Sequence, residues 1–398
     1  MTRAAIVGPV RTPIGAFGGA LRPLTAADLA TVVVRELVDR TGVDTTQVDD
    51  VVFAQSYANS ESPCIGRWAA LNAGLPIETP GLQIDRRCGG GLQAVLTAAM
   101  MVQSGAADVV IAGGVESMSN IEHYATGVRW GSRTGSITLH DRLDRGRERS
   151  QPESRFGQIS GMVETAETLA RELHISRADA DEFSVRSHQR AAAARDRNDF
   201  TDEIVAVQVP QRKGDPVTVC QDEGIRADTT VEVLERLRPV IDGGTVTAGN
   251  SSQQNDAAAA CLVVSEDRLS GLGLTAMAYL SDWAAVGCDP ARMGLGPVGA
   301  VRKLFERTGL AFDDLACVEL NEAFAAQALA VFRQWQWYDD DKVNVNGSGI
   351  SLGHPIGATG VRILTTMLYE LRRRGGGLGM ETMRVGGGQG LAAVFESA

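Results

Sequence analysis

The sequence lacks the long apolar runs that membrane proteins need. Stretches such as residues 31–37 and 106–112 are far shorter than the ~20 residues that span a bilayer, so no membrane association is expected. Neither the six cysteines nor the five histidines show a metal-ligand spacing such as C-x-x-C or H-E-x-x-H, and we expect no metal site. Because the N-terminus carries no signal-like apolar region and no Arg/Ser-rich transit segment, we expect a cytoplasmic protein with reduced thiols.

Positive charge is also in short supply. There are 38 Lys and Arg residues against 49 Asp and Glu residues, and the net charge of -11 repels a phosphate backbone, so nucleic-acid binding is not expected. What is abundant is glycine, with 45 residues, beside 44% hydrophobic and 22% charged residues. This composition is typical of a soluble globular protein with many tight turns. Since 398 residues exceed what one hydrophobic core usually fills, we expect two or three packed domains.

Local patterns near the start predict alternating helices and strands. Thr25 and Asp28 match a capping box before an apolar periodic segment, and Gly42 follows the last turn of that segment, which predicts a helix. Residues 51–54 then form a short apolar run that is typical of a buried strand. Strands that alternate with amphipathic helices indicate an α/β fold, with layers of helices around a largely parallel sheet.

Two stretches of the chain share one plan. A Gly-rich turn at Cys88 is followed by a predicted helix and then by a strand at 107–112 that ends in glycines. The turn at His354 begins the same series, with a strand at 380–385 and glycines at 386–388. Either the fold is built from two similar halves, or any two strand-helix-strand units look alike at this level of detail.

Residues 120–248 differ in texture from both of these stretches. The segment 129–149 holds six arginines, and a solvated surface or a subunit contact explains them as well as phosphate binding does. We interpret the region as an inserted loop domain. The chain is therefore divided into an N-terminal half of residues 1–119 and 249–270, an inserted domain of residues 120–248, and a C-terminal half of residues 271–398.

Cys88 is the candidate nucleophile. It lies beside Arg86 and Arg87 and before three glycines, at a predicted strand-to-helix turn. Helix N-terminal N–H groups and guanidinium charge both favour a thiolate, and glycines let a substrate approach the sulfur. A buried, inert cysteine explains this local pattern equally well.

His354 occupies the corresponding turn of the other half, and Pro355 after it suits the first position of a helix. An imidazole there can donate a hydrogen bond to an oxyanion or move a proton near neutral pH. Lone histidines are more often structural, but a glycine-dense loop offers a core residue little to pack against.

Motifs along nearly the whole chain resemble those of the thiolase family, the acetyl-CoA acetyltransferases and 3-ketoacyl-CoA thiolases. In order, they are Arg11-Thr-Pro-Ile-Gly-Ala-Phe-Gly-Gly, Asp85-Arg-Arg-Cys-Gly-Gly-Gly-Leu-Gln-Ala, Gly113-Gly-Val-Glu-Ser-Met-Ser, Asp222-Glu-Gly-Ile-Arg, Gly244-Thr-Val-Thr-Ala-Gly-Asn, Asn321-Glu-Ala-Phe-Ala-Ala-Gln, Gly353-His-Pro-Ile-Gly-Ala and Val385-Gly-Gly-Gly-Gln-Gly. The resemblance implies a five-layered αβαβα fold of two similar halves, with an inserted loop domain that binds coenzyme A. It also implies acyl-CoA and CoA as substrates, no tightly bound cofactor, and a homodimer or homotetramer that acts in fatty acid metabolism.

The resemblance assigns roles to individual residues as well. Cys88 would carry the acyl group as a thioester, and His354 would activate that cysteine and help bind the thioester oxygen. Asn321 would hold a water that completes this oxyanion hole, while the backbone N–H groups of Cys88 and Gly386 would form a second one. Arg226 would lie near the nucleotide end of coenzyme A. The pantetheine channel would be lined by Met162, Ala248, Ser252 and Phe324.

One position departs from the family pattern. Where the family normally carries a second cysteine, the acid/base that moves the α-proton, this chain carries Arg384. A guanidinium stays charged in proteins and cannot act as a general base near neutral pH. General acid/base catalysis contributes typically ~10²–10⁴-fold, so thiolysis and non-decarboxylative condensation are expected to be slow, whereas acylation of Cys88 survives.

Arg384 leaves three functions open. The first is an acyl-CoA acyltransferase of thiolase type that is impaired by the loss of the second cysteine. The second is a decarboxylating condensing enzyme, in which Arg384 pairs with the carboxylate of a malonyl-type or dicarboxylyl-CoA and loss of carbon dioxide replaces the base. The third is a non-catalytic CoA-binding homologue, and an artificially introduced arginine would explain the position too.

Overall fold

The computed structural model describes residues 2–159 and 161–398. Its strands are β1 (Ala4–Arg11), β2 (Gly15–Ala16), β3 (Asp50–Ala54), β4 (Gly81–Ile84), β5 (Val109–Ser117), β6 (His123–Tyr124), β7 (His140–Asp141), β8 (Val207–Val209), β9 (Val217–Val219), β10 (Asn255–Ser265), β11 (Ala278–Gly287), β12 (Leu315–Leu320), β13 (Leu378–Val385) and β14 (Gln389–Ser397). Its α-helices are α1 (Ala26–Thr41), α2 (Ile65–Ala73), α3 (Gly90–Gln103), α4 (Arg142–Glu148), α5 (Glu153–Phe156), α6 (Met162–Glu172), α7 (Arg177–Asp196), α8 (Val231–Glu235), α9 (Glu266–Leu272), α10 (Gly296–Thr308), α11 (Ala325–Trp335) and α12 (Thr359–Arg374).

The main strands form one path of hydrogen-bonded neighbours in the order β12-β13-β14-β11-β1-β10-β5-β3-β4. The path is weakest in the middle, where β1 and β11 are joined by the pairs Ala5 with Tyr279 and Ile6 with Ala278, so two sheets meet there. Pairing is parallel between β3 and its neighbours and between β12 and β13, but antiparallel on both sides of β10 and of β14. The expectation of a largely parallel sheet is wrong, because strands covered on both faces have the same apolar runs in either orientation.

The two predicted halves are confirmed. In the N-terminal half, β3 is parallel to β5, β5 is antiparallel to β10, and β10 is antiparallel to β1. In the C-terminal half, β12, β13, β14 and β11 repeat these relations in the same order. Helix α3 precedes β5 as α12 precedes β13. Cys88 and His354 therefore lie before corresponding helices of a duplicated unit.

Five layers result from the way these elements bury their apolar faces. One core lies between the N-terminal sheet and helices α1 and α2, with Leu29 at its centre. A second core lies between the two sheets and contains α3 and α12, through residues such as Leu92 and Val361. A third core lies between the C-terminal sheet and helices α10 and α11, through Val301 and Val331. This αβαβα order confirms the fold that the family resemblance implies.

Helices α3 and α12 approach each other backbone to backbone. A Cβ atom on Gly91 would lie 2.9 Å from the carbonyl oxygen of Gly357, and one on Gly360 would lie 2.0 Å from the backbone nitrogen of Leu92. Such distances leave no space for a side chain, so glycine is required at both positions. The glycines after Cys88 thus pack the two halves together, a role that the sequence argument about substrate access missed.

The helix predicted after Thr25 is confirmed: α1 has the capping box, and Gly42, whose φ is 65°, follows its last turn.

The predictions near the two Gly-rich turns need two corrections. Strand β5, however, does not end in glycines 113–114 but continues to Ser117. A Cβ atom on Gly114 would lie 2.1 Å from the carbonyl oxygen of Gly357, so this glycine allows a close backbone approach and does not mark a turn. Pro355 does not start a helix: α12 begins four residues later, and the intervening residues form turns that carry the histidine.

Residues 120–248, the expected inserted domain, contain helices α4 to α8 and two small sheets, β6 with β7 and β8 with β9. Leu169 and Ala170 of α6 pack against Ala326 and Ala330 of α11, so this region is joined to the C-terminal half. Its boundaries as a domain stay a prediction. Within residues 2–159 and 161–398, no helix combines the length and the hydropathy needed to cross a bilayer.

Candidate active site

One cavity of about 520 Å³ brings together most of the residues expected to act in the site. It is bordered by both halves and by the region 120–248. Of the expected catalytic residues, those that line it are Cys88, His354, Arg384 and Gly386. Of the expected coenzyme A contacts, those that line it are Met162, Ala248, Ser252 and Phe324.

Cys88 lies in a 3-10 turn, Arg87–Gly89, directly before α3. Arg87 has a left-handed backbone with φ 45°, and its N–H group donates to the Asp85 carboxylate at 2.6 Å. Such a conformation is strained for a residue other than glycine and persists only where the surrounding structure holds it, which is common at functional sites. Cys88 is only 6% exposed, but it borders the cavity, where a ligand can reach it.

The imidazole of His354 is held by contacts on its Nδ1 side. Its backbone N–H donates to Asn255 Oδ1 at 2.8 Å, and Nδ1 lies 2.7 Å from Thr359 Oγ1 and 3.4 Å from Asn321 Nδ2. An amide nitrogen only donates, so the contact with Asn321 is a hydrogen bond in the tautomer that carries the ring proton on Nε2. No described residue bonds to Nε2, which is buried beside the cavity. His354 can therefore donate a hydrogen bond to an oxygen of a bound thioester.

Burial and positive charge both act on this imidazole. Burial lowers the pKa of His354 well below its usual value, and the charges of Arg384, Arg362 and Arg147 lower it further. The ring is neutral near pH 7 as a result. A neutral Nε2–H suits an oxyanion donor, but in this tautomer Nε2 cannot accept a proton from the Cys88 thiol.

Asn321 lies behind His354 and does not itself line the cavity. It follows the end of β12, and its backbone N–H donates to the Thr382 carbonyl at 3.1 Å, which ties the loop to β13. Its side-chain Oδ1 is buried without a partner among the described residues. Buried acceptors rarely stay unpaired in folded proteins, so this oxygen is free to accept a hydrogen bond from a bound water. Its role in an oxyanion hole stays a prediction.

Arg384, on β13, directs its guanidinium at the sulfur of Cys88. Nη1 lies 3.4 Å from Cys88 Sγ and 3.6 Å from Met162 Sδ, and Cζ lies 5.8 Å from the centre of the Phe324 ring. The residue is 3% exposed. Within the described part of the chain its hydrogen-bonding partners are these two sulfur atoms, and Nε has none. A cation without a carboxylate partner thus lies where the resemblance led us to look for a second cysteine.

Arg226 is the one expected coenzyme A contact that the structure leaves outside the cavity. Its side chain is exposed, and its backbone N–H donates to His188 Nδ1 at 3.3 Å. No observation tests its assignment to the nucleotide end of coenzyme A, which stays a prediction.

Two further arginines border the cavity and were not assigned to it from the sequence. Arg87 donates to the Gly146 carbonyl at 3.2 Å, and Arg147 pairs with Asp144 at 3.2 Å near the surface. Arg87 could have been found as the neighbour of Cys88. Arg147 could not, because its place depends on how the segment 129–149 folds over the site.

Glu116 is a buried residue of the site region that the sequence argument quoted only as part of a motif. Its carboxylate accepts the backbone N–H groups of Ser56 at 3.1 Å, Tyr57 at 3.2 Å and Gly357 at 3.1 Å. Burial raises the pKa of Glu116 to about 7, although the three N–H donors act in the opposite direction. This side chain connects the cavity wall at Tyr57 to the loop that carries His354.

Comparisons with known proteins agree with this geometry. The family model described as Thiolase, N-terminal domain, matches residues 4–267, and that described as Thiolase, C-terminal domain, matches residues 274–397. The chain is similar to an acetyl-CoA acetyltransferase of Chromobacterium violaceum, with 45% identity over 98% of this chain and 99% of the relative. Among solved structures, the Bacillus anthracis acetyl-CoA acetyltransferase has a TM-score of 0.96 at 40% identity and covers 100% of this chain and 99% of its own. Human mitochondrial 3-ketoacyl-CoA thiolase in complex with CoA has a TM-score of 0.93 at 38% identity, covering 100% and 98%.

Proposed function

The chain belongs to the thiolase family, and from that premise we propose that it is an acyl-CoA acyltransferase that carries the acyl group on Cys88. It would cleave a 3-oxoacyl-CoA with CoA or join two acyl-CoA units. The observation that supports this proposal most is that Cys88 and His354, 266 positions apart and placed by corresponding helices, border one cavity. A nucleophile and a neutral imidazole donor are what acyl transfer requires.

Acylation of Cys88 uses groups that the chain supplies. The thiolate attacks the thioester carbonyl of acyl-CoA, a sulfur–carbon bond forms, and the CoA thiolate leaves. In the tetrahedral intermediate the negative charge lies on the former carbonyl oxygen, which the backbone N–H groups of Cys88 and Gly386 would stabilise. The other pocket, with His354 Nε2, would bind the thioester oxygen of the second acyl-CoA. The guanidinium of Arg384, 3.4 Å from the sulfur, favours the negatively charged nucleophile.

The second step is where this chain differs from the family pattern. Proton transfer at the α-carbon needs a group that can both lose and accept a proton, and Arg384 cannot do so near neutral pH. We propose that thiolysis and non-decarboxylative condensation are slowed by about 10²–10⁴-fold relative to a site with a cysteine there.

The remaining assignments follow the family. Met162, Ala248, Ser252 and Phe324 would line the channel for pantetheine, and Arg226 would lie toward the nucleotide. The solved structure of the human thiolase in complex with CoA supports CoA as a ligand. We propose acyl-CoA and CoA as the substrates, with no tightly bound cofactor. We further propose a cytoplasmic homodimer or homotetramer, an assembly that size-exclusion chromatography with light scattering would identify.

The test is a covalent adduct. After mixing with acetyl-CoA, intact-protein mass spectrometry is expected to show one acetyl group on the wild type and none on Cys88→Ser. Cys220→Ser is the matched control, because Cys220 is an exposed thiol away from the cavity, and it should acylate like the wild type. Absence of the adduct from the wild type, or its persistence in Cys88→Ser, would contradict the proposal.

A non-catalytic CoA-binding protein is the second candidate, favoured by the missing proton carrier at Arg384. It predicts CoA binding in calorimetry together with no acyl adduct and no turnover of any acyl-CoA. An adduct on Cys88 excludes this candidate.

A further inference from the structure

The guanidinium of Arg384 is buried in the cavity wall without an anion. Its Nη1 contacts the sulfur atoms of Cys88 and Met162, its Nε has no partner among the described residues, and the residue is 3% exposed. A buried cation is strongly destabilising unless an opposite charge or several hydrogen bonds compensate it. The aromatic face of Phe324 at 5.8 Å compensates only a small part.

The reaction itself changes this balance. While Cys88 is a thiolate, its sulfur at 3.4 Å is the counter-charge of Arg384. Once the sulfur carries an acyl group, the thioester is uncharged and the guanidinium loses that counter-charge. The acyl enzyme therefore contains an uncompensated buried cation at the moment when the second substrate enters.

The other charged groups of the cavity do not replace the lost anion. Asp144 pairs with Arg147 at 3.2 Å, and its side chain is 65% exposed. Glu148 and Glu164 also border the cavity, but neither is among the hydrogen-bonding partners of Arg384. Arg87 adds a second positive charge on the same wall. Three arginines and three acidic residues line the cavity, and none of these acids is among the described hydrogen-bonding partners of Arg384.

We propose that Arg384 is a carboxylate-binding residue, so that the acyl enzyme selects a second acyl-CoA with a carboxylate on its acyl part. The inference rests on the proposed function, because it concerns the acyl-Cys88 form. A guanidinium binds a carboxylate through two parallel N–H···O bonds, and a position beside Cys88 Sγ places such a carboxylate close to the carbon that attacks the thioester. A malonyl-type CoA, with its carboxylate on that carbon, fits this position.

The carbon–carbon bond then forms without a base. The bond between the carboxylate carbon and the α-carbon breaks, and neutral carbon dioxide leaves. The electron pair of the broken bond stays with the α-carbon and forms the enolate of the CoA thioester. The enolate carbon attacks the acyl-Cys88 carbonyl, and the Cys88 thiolate leaves, so the single negative charge of the carboxylate ends on the sulfur and again faces Arg384. Pairing with the guanidinium alone would stabilise the carboxylate and oppose its loss. His354 Nε2–H, which has no other described partner, stabilises the enolate oxygen and favours the forward step.

The binding test measures acetyl-CoA, malonyl-CoA and succinyl-CoA on Cys88→Ser. This variant carries no charge at position 88 and cannot turn over normally. Calorimetry is expected to give malonyl-CoA an affinity about 10-fold or more above that of acetyl-CoA, a preference that Arg384→Met in the same background removes and Arg384→Lys partly restores. Arg302→Gln is the control, since Arg302 is exposed on α10, and it should leave the preference unchanged. Equal affinities, or a preference that survives Arg384→Met, would overturn the proposal.

Succinyl-CoA distinguishes binding of a carboxylate alone from binding followed by decarboxylation. Its carboxylate is one carbon farther away and is not lost in the reaction. Carbon dioxide release from labelled malonyl-CoA by acetylated wild type, absent from Arg384→Met, is the expected result. An Arg384-dependent preference for succinyl-CoA without carbon dioxide release would overturn the decarboxylating step. The wild type could also prefer malonyl-CoA over acetyl-CoA and never form the Cys88 adduct. That result would support carboxylate binding and contradict the proposed acyl transfer.

Discussion

Strands β5 and β13 correspond in the two halves, yet they carry opposite charges at corresponding positions. The last pair of β5 with its parallel neighbour β3 is at Gly114, and the last pair of β13 with β12 is at Thr382. Glu116 and Arg384 each lie two residues farther along. Both side chains are almost completely buried, with exposures of 0% and 3%.

The two residues differ in their hydrogen-bonding partners as well as in the sign of their charge. Glu116 accepts three backbone N–H groups and so holds separate loops together. Arg384 meets two sulfur atoms and the ligand space. Corresponding positions of a duplicated fold can therefore have different surroundings. The backbone satisfies the buried carboxyl of Glu116, whereas the guanidinium of Arg384 has no described anionic partner.

Replacing the ligand-facing charge by a proton carrier should have the largest effect. Arg384→Cys is expected to increase CoA-dependent cleavage of a 3-oxoacyl-CoA by about 10²–10⁴-fold, because it introduces an acid/base group beside the nucleophile. Arg384→Ser, of similar size but without a titrating thiol, should give no such increase in the same spectrophotometric assay. A wild type as fast as Arg384→Cys would mean that another group already moves the proton.

Removing the structural charge should damage stability instead. Glu116→Ala leaves three buried N–H donors unpaired, at about 1–3 kcal/mol each, so the free energy of unfolding should fall by at least about 3 kcal/mol. Arg384→Met removes a buried unpaired cation and should leave the unfolding free energy unchanged or higher. Chemical denaturation of the two variants measures the contrast, and equal losses would show that both charges are structural.

The pH dependence of stability offers a subtler comparison. Burial raises the pKa of Glu116 from 4.5 to about 7. Because the pKa of the folded state is the higher one, its contribution to stability is complete below pH 4.5 and is lost as the pH rises through 7, by on the order of 3 kcal/mol. Glu116→Gln cannot titrate, so the wild-type denaturation midpoint should fall relative to that of the variant between pH 4.5 and 7. A constant difference across that range would show that the carboxyl is ionised throughout.

The smallest expected change concerns His354. The charge of Arg384 is one cause of its low pKa, after burial. Arg384→Met should therefore raise the pKa of His354 while leaving it below the usual value, and NMR titration of the ring protons would measure the shift. Arg302→Gln should not move it. An unchanged pKa in Arg384→Met would mean that burial alone sets the charge state of the imidazole.

Much of this architecture is readable from the sequence, because it is set by local chemistry. The capping box at Thr25 and the duplicated turns at Cys88 and His354 follow from residue types and spacing, whereas the place of Arg384 in the site was implied by the family resemblance. The orientation of the strands does not, because apolar runs covered on both faces carry no directional signal. The approach of Arg147 and the three N–H partners of Glu116 were equally inaccessible, since they depend on contacts between residues far apart in the chain.

The contact of Gly91 with Gly357 and of Gly360 with Leu92 bears on how such a protein can diversify. The approach of α3 to the start of α12 and the turn before it is set by main-chain atoms, and not by the side chains that line the cavity. Residues of the cavity wall, position 384 included, can then be exchanged during evolution while this approach stays the same. An ancestor could acquire a new substrate at this wall without rebuilding the centre of the molecule.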